Sequence, residues 1–154
     1  MSGTASPLLA VDGLETRVHT RQGSFPAVDG VSLALGREET LAVVGESGCG
    51  KSMLALSVMR LLARNVARVT RGSVRLEGRE LLALPERAMQ AVRGREISMV
   101  FQEPMTTLNP VLTVGRQIAE VVRRHERVPH RAAWDRAVEM LALVRVPDPR
   151  QRAS

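Results

Sequence analysis

The sequence predicts an α/β fold in which antiparallel strands precede a core built around a glycine-rich loop, and three observations support this. Residues 45–52 read G-E-S-G-C-G-K-S and fit G-x-x-x-x-G-K-[ST], the phosphate-binding P-loop. The apolar run 40–44 precedes the loop and the apolar stretch 53–62 follows it, as a buried strand and a buried helix would. Upstream, apolar and polar side chains alternate, which is typical of half-buried strands.

The first elements are short strands. Residues 14–18 and 31–35 both alternate with period two, and the polar stretch 19–24 between them suits a turn, so we expect an antiparallel pair. Residues 73–76 predict another short strand, which Gly78 ends.

The later elements are three helices and one further strand. Residues 85–92 suit a helix with proline in its first turn, and the apolar run 97–101 suits a strand of a parallel sheet. Two amphipathic helices follow the proline-bounded loop 102–110, and the prolines of 147–149 stop the second. One face of the first helix is predicted to carry Val114, Ile118, Val121, Val122 and His125, and one face of the second is predicted to carry Trp134, Ala137, Val138, Leu141 and Val144.

The P-loop residues predict a triphosphate site. Lys51 is the chain's only lysine, although arginine is used throughout, and a compact ammonium suits a tight phosphate loop better than a planar guanidinium. We expect Lys51 to reach the β- and γ-phosphates and the Ser52 hydroxyl to ligate Mg²⁺. Cys49 is either a neutral filler of a variable position or a thiol whose alkylation would obstruct nucleotide binding. The predicted binding set is Gly45, Glu46, Ser47, Gly48, Cys49, Gly50, Lys51 and Ser52.

Composition narrows the class of protein. The 154 residues suffice for one domain, and a single cysteine excludes an internal disulfide framework. The net charge of +6 could indicate nucleic-acid contact, but the arginines are dispersed and aromatic residues make up only 2% of the chain. We therefore expect no nucleic-acid partner. No apolar run is long enough to span a membrane, and the N-terminus lacks a signal-peptide pattern, so we expect a cytoplasmic location.

A second motif makes a family resemblance specific. Residues 100–110 read V-F-Q-E-P-M-T-T-L-N-P, in which Gln102 directly follows a predicted buried strand. Alone it would be an ordinary solvated loop glutamine. Together with the P-loop, A-V-D-G-V-S at 27–32 and T-V-G-R-Q-I at 113–118, it resembles the Q-loop of ABC transporter ATPases. These segments resemble the sequences of ATP-binding subunits of dipeptide, oligopeptide and nickel importers, and the resemblance covers nearly the whole chain.

The resemblance implies an ABC-type nucleotide-binding domain that binds ATP with Mg²⁺. An N-terminal antiparallel β subdomain and the P-loop core would occupy 8–101, and the Q-loop and start of the helical subdomain 102–146. Gln102 would join Ser52 at Mg²⁺ and sense the γ-phosphate, acting with Lys51 in an incomplete catalytic set.

The resemblance also implies partners. The stretch 103–115 would face the coupling helix of a membrane permease, and a second ATP-binding subunit, identical or different, would complete a dimer on the cytoplasmic face of the membrane. The family usually stacks adenine on an aromatic residue before the P-loop. Phe25 is the candidate here, and it could equally be a hairpin residue that covers the small sheet.

Several family motifs do not occur in the sequence: the LSGGQ signature, the strand that ends in Asp-Glu, and the switch histidine. We therefore expect the N-terminal half of an importer ATPase, competent in hydrolysis only with the remainder supplied. The alternative is a non-catalytic remnant that binds nucleotide weakly or not at all. A GTPase is disfavoured because Asn-Lys-x-Asp needs a second lysine. Predicted to lie on solvated helix faces are Glu120, Glu126, Glu139, His125 and His130.

Overall fold

A computed structural model describes residues 6–63, 65–101 and 108–154. The chain divides into two compact units, an N-terminal unit over Met1–Gln90 and a C-terminal unit over Ala91–Ser154. The N-terminal unit carries a sheet and the P-loop, and the C-terminal unit is helical. The predicted Gln102 and the stretch 103–107 lie outside the described residues.

The N-terminal unit is built on a four-stranded antiparallel sheet with the order β2-β1-β3-β4. The first two strands confirm the predicted pair and are longer than the alternation alone indicated. The turn between them is tight: the Thr20 hydroxyl donates to Gly23 O at 3.1 Å and accepts from Gln22 N at 3.3 Å. The strands are β1 (Leu9–Thr20), β2 (Gly23–Leu35), β3 (Ala67–Leu76) and β4 (Arg79–Glu80).

Irregular register bends this sheet. Thr16 pairs with Val28 but Arg17 pairs with Pro26, so Ala27 is an extra residue in β2 and forms a bulge. Gly72 has φ +96°, and a Cβ there would lie 2.5 Å from Leu14 Cα, so only glycine fits where β3 passes β1.

The core of the N-terminal unit is aliphatic, as the near absence of aromatic residues predicts. Helix α1 (Lys51–Val58) packs against β1, β2 and β3. Its buried residues Leu54 and Val58 join Leu14 and Val74, both of which have no exposed surface. Burial of such side chains stabilises the unit by roughly 1.5–3 kcal/mol each.

Helix α1 confirms the predicted start but ends earlier than predicted. It begins at Lys51, with Gly50 as its N-cap, and stops at Val58 instead of continuing to Leu62. Arg60 adopts a left-handed φ of +53° and donates from its guanidinium to the carbonyls of Leu81 and Leu84 at 3.0 and 2.6 Å. These tertiary hydrogen bonds outweigh the helix propensity of the apolar residues that follow.

Two predicted strands are wrong for the described structure. Residues 40–44 belong to no strand, and Val43 and Val44 are 49% and 88% exposed. Residues 97–101 likewise form no strand: Ile97 makes an isolated parallel bridge with Arg93, and Val100 is 96% exposed. A parallel strand needs neighbours that satisfy its backbone and cover both faces, and in the described parts of the chain neither run has them.

The C-terminal unit is a helical pair with a small-residue core. Helix α2 (Glu86–Val92) confirms the helix expected after Pro85, and it runs into this unit. Helices α3 (Val114–Glu126) and α4 (His130–Leu143) pack together, and α5 (Pro149–Arg152) follows them.

The two long helices were predicted, and their buried faces agree with the prediction in part: Ala137 and Leu141 are buried as expected, and Ile118 and Val122 pack against the core. Ala119, Ala133 and Ala137 form the centre of the core, because alanines let the two helix backbones approach closely. Val121 is 54% exposed, and Val144 is 68% exposed beyond the end of α4. Of the predicted face residues, Val121 and Val144 are thus the exposed members.

Candidate nucleotide-binding site

The P-loop follows the segment 40–44 and ends in α1, so the loop precedes a helix as the motif requires. Its turn is made by glycines: Gly48 has φ +86° and Gly50 has φ +95°. A Cβ on Gly50 would lie 2.3 Å from the carbonyl oxygen of Ala27, the bulged residue of β2. The sheet therefore holds the last residue of the loop closely, and glycine is required at this point.

The Lys51 ammonium lies over the loop. Its Nζ donates to Gly45 O and Glu46 O, each at 2.7 Å, and to the Cys49 Sγ at 3.4 Å. The loop also closes on itself, since Cys49 N donates to Glu46 O at 3.3 Å. The ammonium thus lies beside the glycine turn, where it can exchange a carbonyl contact for a contact with a phosphate oxygen.

The first turn of α1 adds a second source of positive potential. Gly50 provides no side-chain cap, and no acidic residue occupies the first turn, so the helix N-terminus is uncompensated by its own side chains. Backbone N–H groups at such a terminus favour an anion. Ser52 lies exposed in this same turn, one residue beyond Lys51, where its hydroxyl is accessible to a metal ion.

A cavity of about 300 Å³ adjoins the loop. It extends between β2 and the apolar segment before the loop, and Gly50, Lys51 and Leu54 close one end. Most of its lining is apolar, which suits a flat, weakly polar group more than a phosphate. Its other lining residues are Pro26, Ala27, Val28, Asp29, Val31, Val43, Val44 and Cys49.

Phe25 precedes this cavity without lining it. It lies on β2 opposite Val18 and is 50% exposed, so its ring neither fills the core nor closes the cavity. The two alternatives for Phe25, adenine stacking and cover for the hairpin, both remain predictions.

Apart from Phe25, the sequence-predicted site residues divide into two groups. The structure brings together residues 45–52 as one loop and helix start. Gln102 lies outside the described residues, so its place beside Ser52 stays a prediction. Among the residues that the structure describes, no cluster of three or more histidine, cysteine, aspartate or glutamate side chains could hold a metal ion.

Two contacts, one in each unit, were not foreseen. The Ala27 carbonyl supports Gly50, but every residue has a carbonyl, so no sequence signal marks it. Gln117 in α3 binds the loop before that helix with three hydrogen bonds. In the sequence it was only part of a segment that resembles the family. Its partner Asn109 lies eight residues earlier, in the loop before the helix, so helical spacing does not predict this contact.

A family model described as ABC transporter matches residues 28–154, which include the P-loop and all of the helical region. This chain belongs to the ABC transporter family. The matched residues include the glycine loop with Lys51 and Ser52, and membership of this family argues against the GTPase alternative.

Within the ABC family, the chain is similar to relatives at 45–50% identity that are named as ATP-binding proteins of peptide transporters. The chain is 50% identical over 148 residues to a probable peptide ABC transporter ATP-binding protein, y4tR, of Sinorhizobium fredii, covering 96% of this chain and 44% of that protein. It is 46% identical over 147 residues to the oligopeptide transport ATP-binding protein OppD of Bacillus subtilis, with 96% and 41% covered. The chain thus spans less than half the length of these relatives.

Solved structures agree on the fold. The chain superimposes on the ATP-binding cassette MJ0796, in a dimeric post-hydrolysis state bound to ADP and Pi, with a TM-score of 0.76 at 19% identity. The superposition covers 94% of this chain and 60% of the cassette. The predicted fold class, an ABC-type nucleotide-binding domain with an N-terminal antiparallel subdomain, is therefore confirmed.

Proposed function

We propose that this chain is the nucleotide-binding part of an ATP-binding subunit of a peptide importer, and that residues 45–52 hold ATP with Mg²⁺. The observation that supports this most directly is the Lys51 ammonium, held 2.7 Å from two loop carbonyls at the uncapped start of α1. Cation, glycine turn and helix N-terminus all favour the same ligand, a chain of phosphates.

The residues present fit the nucleotide and its metal. Gly48 has open space around its Cβ position, so a phosphate can approach the loop backbone there. Lys51 would bind the β- and γ-phosphates, and Ser52 would ligate Mg²⁺ with Gln102 as the expected second ligand. The apolar cavity beside Gly50 would accept the base, with Phe25 as the candidate for stacking on its exposed face.

The chemistry follows from charge. Bound Mg²⁺ would neutralise the phosphates and polarise the terminal phosphoryl group. Lys51 would hold the phosphates through charge-assisted hydrogen bonds, and the loop N–H groups would fix their orientation. Gln102 would carry the state of the γ-phosphate into 103–115. No residue described in the structure positions the attacking water, so we assign none of them that step.

Substrate and partners follow from the relatives. The names of these relatives refer to peptides, oligopeptides and dipeptides, which favours peptides over nickel as the transported class. We infer that 103–115 contacts a membrane permease and that a second ATP-binding subunit completes the assembly. No helix in the described residues is long and apolar enough to cross a membrane. The proposed ATP-binding subunit would bind peripherally, through its permease, at the cytoplasmic face of the membrane.

The exposed apolar segment before the P-loop favours a second candidate, a remnant that binds nucleotide weakly or not at all. Leu41, Val43 and Val44 lead directly into the loop and are 44%, 49% and 88% exposed. A loop whose preceding segment belongs to no strand in the described structure would be less ordered than the motif requires.

The deciding experiment measures MgATP binding by the purified chain and by three variants, with hydrolysis followed in the same samples. Lys51→Ala should weaken binding about 10- to 100-fold, because charge-assisted hydrogen bonds each contribute roughly 1.5–3 kcal/mol. Lys51→Arg keeps the charge but should not restore binding, since the guanidinium is too broad. Arg131→Ala, which removes a cation from the exposed surface of α4, is the control and should bind normally. Equal weak binding by all four proteins would favour the remnant.

A further inference from the structure

The side chain of Gln117 binds the loop that precedes its own helix. Its Oε1 accepts from Asn109 N at 3.0 Å, and its Nε2 donates to Asn109 O and to Leu112 O, each at 3.0 Å. A carboxamide has two donors and an acceptor, and both donors and the acceptor are used here. No other side chain of this length has the same complement of groups.

The loop over 108–112 is further connected to itself. The Asn109 Oδ1 accepts from Val111 N at 3.0 Å, and Leu112 N donates to Asn109 O at 3.2 Å. Thr113 then caps α3 by accepting from Arg116 N at 3.4 Å. The loop is therefore a closed turn, and Gln117 is the side chain that fixes the turn to the helix.

This fixed turn presents apolar side chains to solvent. Val111 is 86% exposed and Leu108 is 48% exposed. A cleft of about 890 Å³ lies beside them and is lined in part by Leu112, Ile118 and Val121. Rigid exposure of apolar groups gives no stability to the free protein. It does lower the entropy lost when a partner binds, because the contacting residues are already ordered.

We propose that Gln117 is a positioning residue for coupling: it holds 108–112 in the conformation that contacts the permease. The inference rests on the proposed function, which assigns this stretch of chain to permease contact. The side chain of Gln117 bonds to Asn109 and Leu112, and it is not among the residues assigned to ATP or Mg²⁺. Its loss should therefore leave nucleotide binding intact and reduce the response to the permease.

The first test measures the order of the 108–112 loop in the 154-residue chain. Amide hydrogen exchange at Asn109 is compared between wild type, Gln117→Met and Gln117→Glu. In Gln117→Met it should become about three- to tenfold faster, the loss expected for one hydrogen bond. Gln117→Glu keeps the acceptor for Asn109 N but loses both donors, so exchange at Val111, within the closed turn, should rise by a similar factor. Gln151→Met and Gln151→Glu make the same changes on an exposed helix and should have no effect.

The second test uses the full-length protein assembled with its permease in lipid vesicles. Permease-stimulated ATP hydrolysis should fall about tenfold in both Gln117 variants, within the usual range of coupling energies. Hydrolysis without permease, MgATP affinity and the midpoint of thermal unfolding should stay within about twofold or a few degrees of wild type. The Gln151 variants should match wild type throughout.

The outcomes separate two kinds of failure. Unchanged amide exchange, or equal loss of basal and stimulated hydrolysis, would overturn the role of Gln117 alone, since ATP binding through Lys51 would be unaffected. A wild-type protein that binds ATP but shows no stimulation by permease would overturn the assignment of 103–115, and this inference with it. A protein without Lys51-dependent binding would overturn the proposed function.

Discussion

The hydroxyl groups of Thr16 and Ser57 lie 2.8 Å apart, and both residues are fully buried between β1 and α1. Ser57 Oγ also lies 2.5 Å from Met53 O, a carbonyl that can only accept. Since Ser57 has one hydroxyl hydrogen, it donates to Met53, and Thr16 donates to Ser57. One directed chain of hydrogen bonds therefore joins the sheet to the helix that begins with Lys51.

This buried pair should contribute measurably to stability. Ser57→Ala leaves the Thr16 hydroxyl without its acceptor, and we expect a loss of about 1–3 kcal/mol in the free energy of unfolding. Thr16→Val should cost less, because Ser57 keeps its bond to Met53. In the double variant the losses should fall short of additivity by about 0.5–1.5 kcal/mol, measured by urea unfolding. Thr40→Val, at an exposed site before the P-loop, is the control. Strict additivity would mean that the pair does not interact.

Gly50 and Gly48 offer a matched pair of substitutions. Both have positive φ, so alanine at either site should cost about 1–2 kcal/mol in backbone strain. Only at Gly50 would the new Cβ meet an atom, Ala27 O at 2.3 Å, whereas nothing lies within 4 Å of the Gly48 position. We expect Gly50→Ala to lose more stability than Gly48→Ala, as measured by thermal unfolding. Equal losses would show that the Ala27 carbonyl moves away from the new Cβ with no loss of stability.

How much could be predicted from the sequence depended on how local each interaction is. The P-loop, the start of α1 and the β1–β2 hairpin follow from glycine, charge and alternation within a few residues. The strand expected over 40–44 failed because burial of an apolar run depends on partners elsewhere. The early end of α1 reflects Arg60, whose acceptors Leu81 and Leu84 are more than twenty residues away. Contacts between distant residues leave no local pattern.

Ser52 should affect the metal more than the nucleotide. Ser52→Ala removes the hydroxyl expected at Mg²⁺ but leaves Lys51 and the loop N–H groups in place. With Mg²⁺ present, ATP affinity should fall about tenfold, and after chelation the variant and wild type should bind alike. Ser73→Ala, on the sheet, is the control. A defect of the same size with and without the metal would mean that Ser52 contacts ATP directly.

Cys49 provides a chemical test of the same loop. It is exposed, is the chain's only cysteine, and has its Sγ 3.4 Å from the Lys51 Nζ. Alkylation by N-ethylmaleimide should add one group per chain and abolish ATP binding, because the adduct would occupy the loop. Saturating MgATP should slow the labelling at least about tenfold, in proportion to occupancy of the site. Cys49→Ser should resist labelling. Full ATP binding by the alkylated chain would show that Cys49 is only a filler.

Gly115 sets helix propensity against packing within the C-terminal unit. In an exposed helix, replacing glycine by alanine stabilises by about 0.5–1 kcal/mol. Here the new Cβ would lie 2.5 Å from Ala153 O and 2.9 Å from the Trp134 ring, and Gly115 N already donates to that carbonyl at 3.0 Å. Overpacking typically costs about 1–3 kcal/mol, so we expect Gly115→Ala to destabilise the protein in thermal unfolding.

Ala132 supplies the opposite change on the exposed surface of α4. Ala132→Gly removes a Cβ and should cost about 1 kcal/mol through propensity alone. The pair thus predicts that adding a Cβ at one helical site and removing one at the other both destabilise the protein, which propensity alone cannot produce. A more stable Gly115→Ala would mean that Ala153 moves away freely, and that the close contact between the start of α3 and the residue after α5 does not hold this unit together.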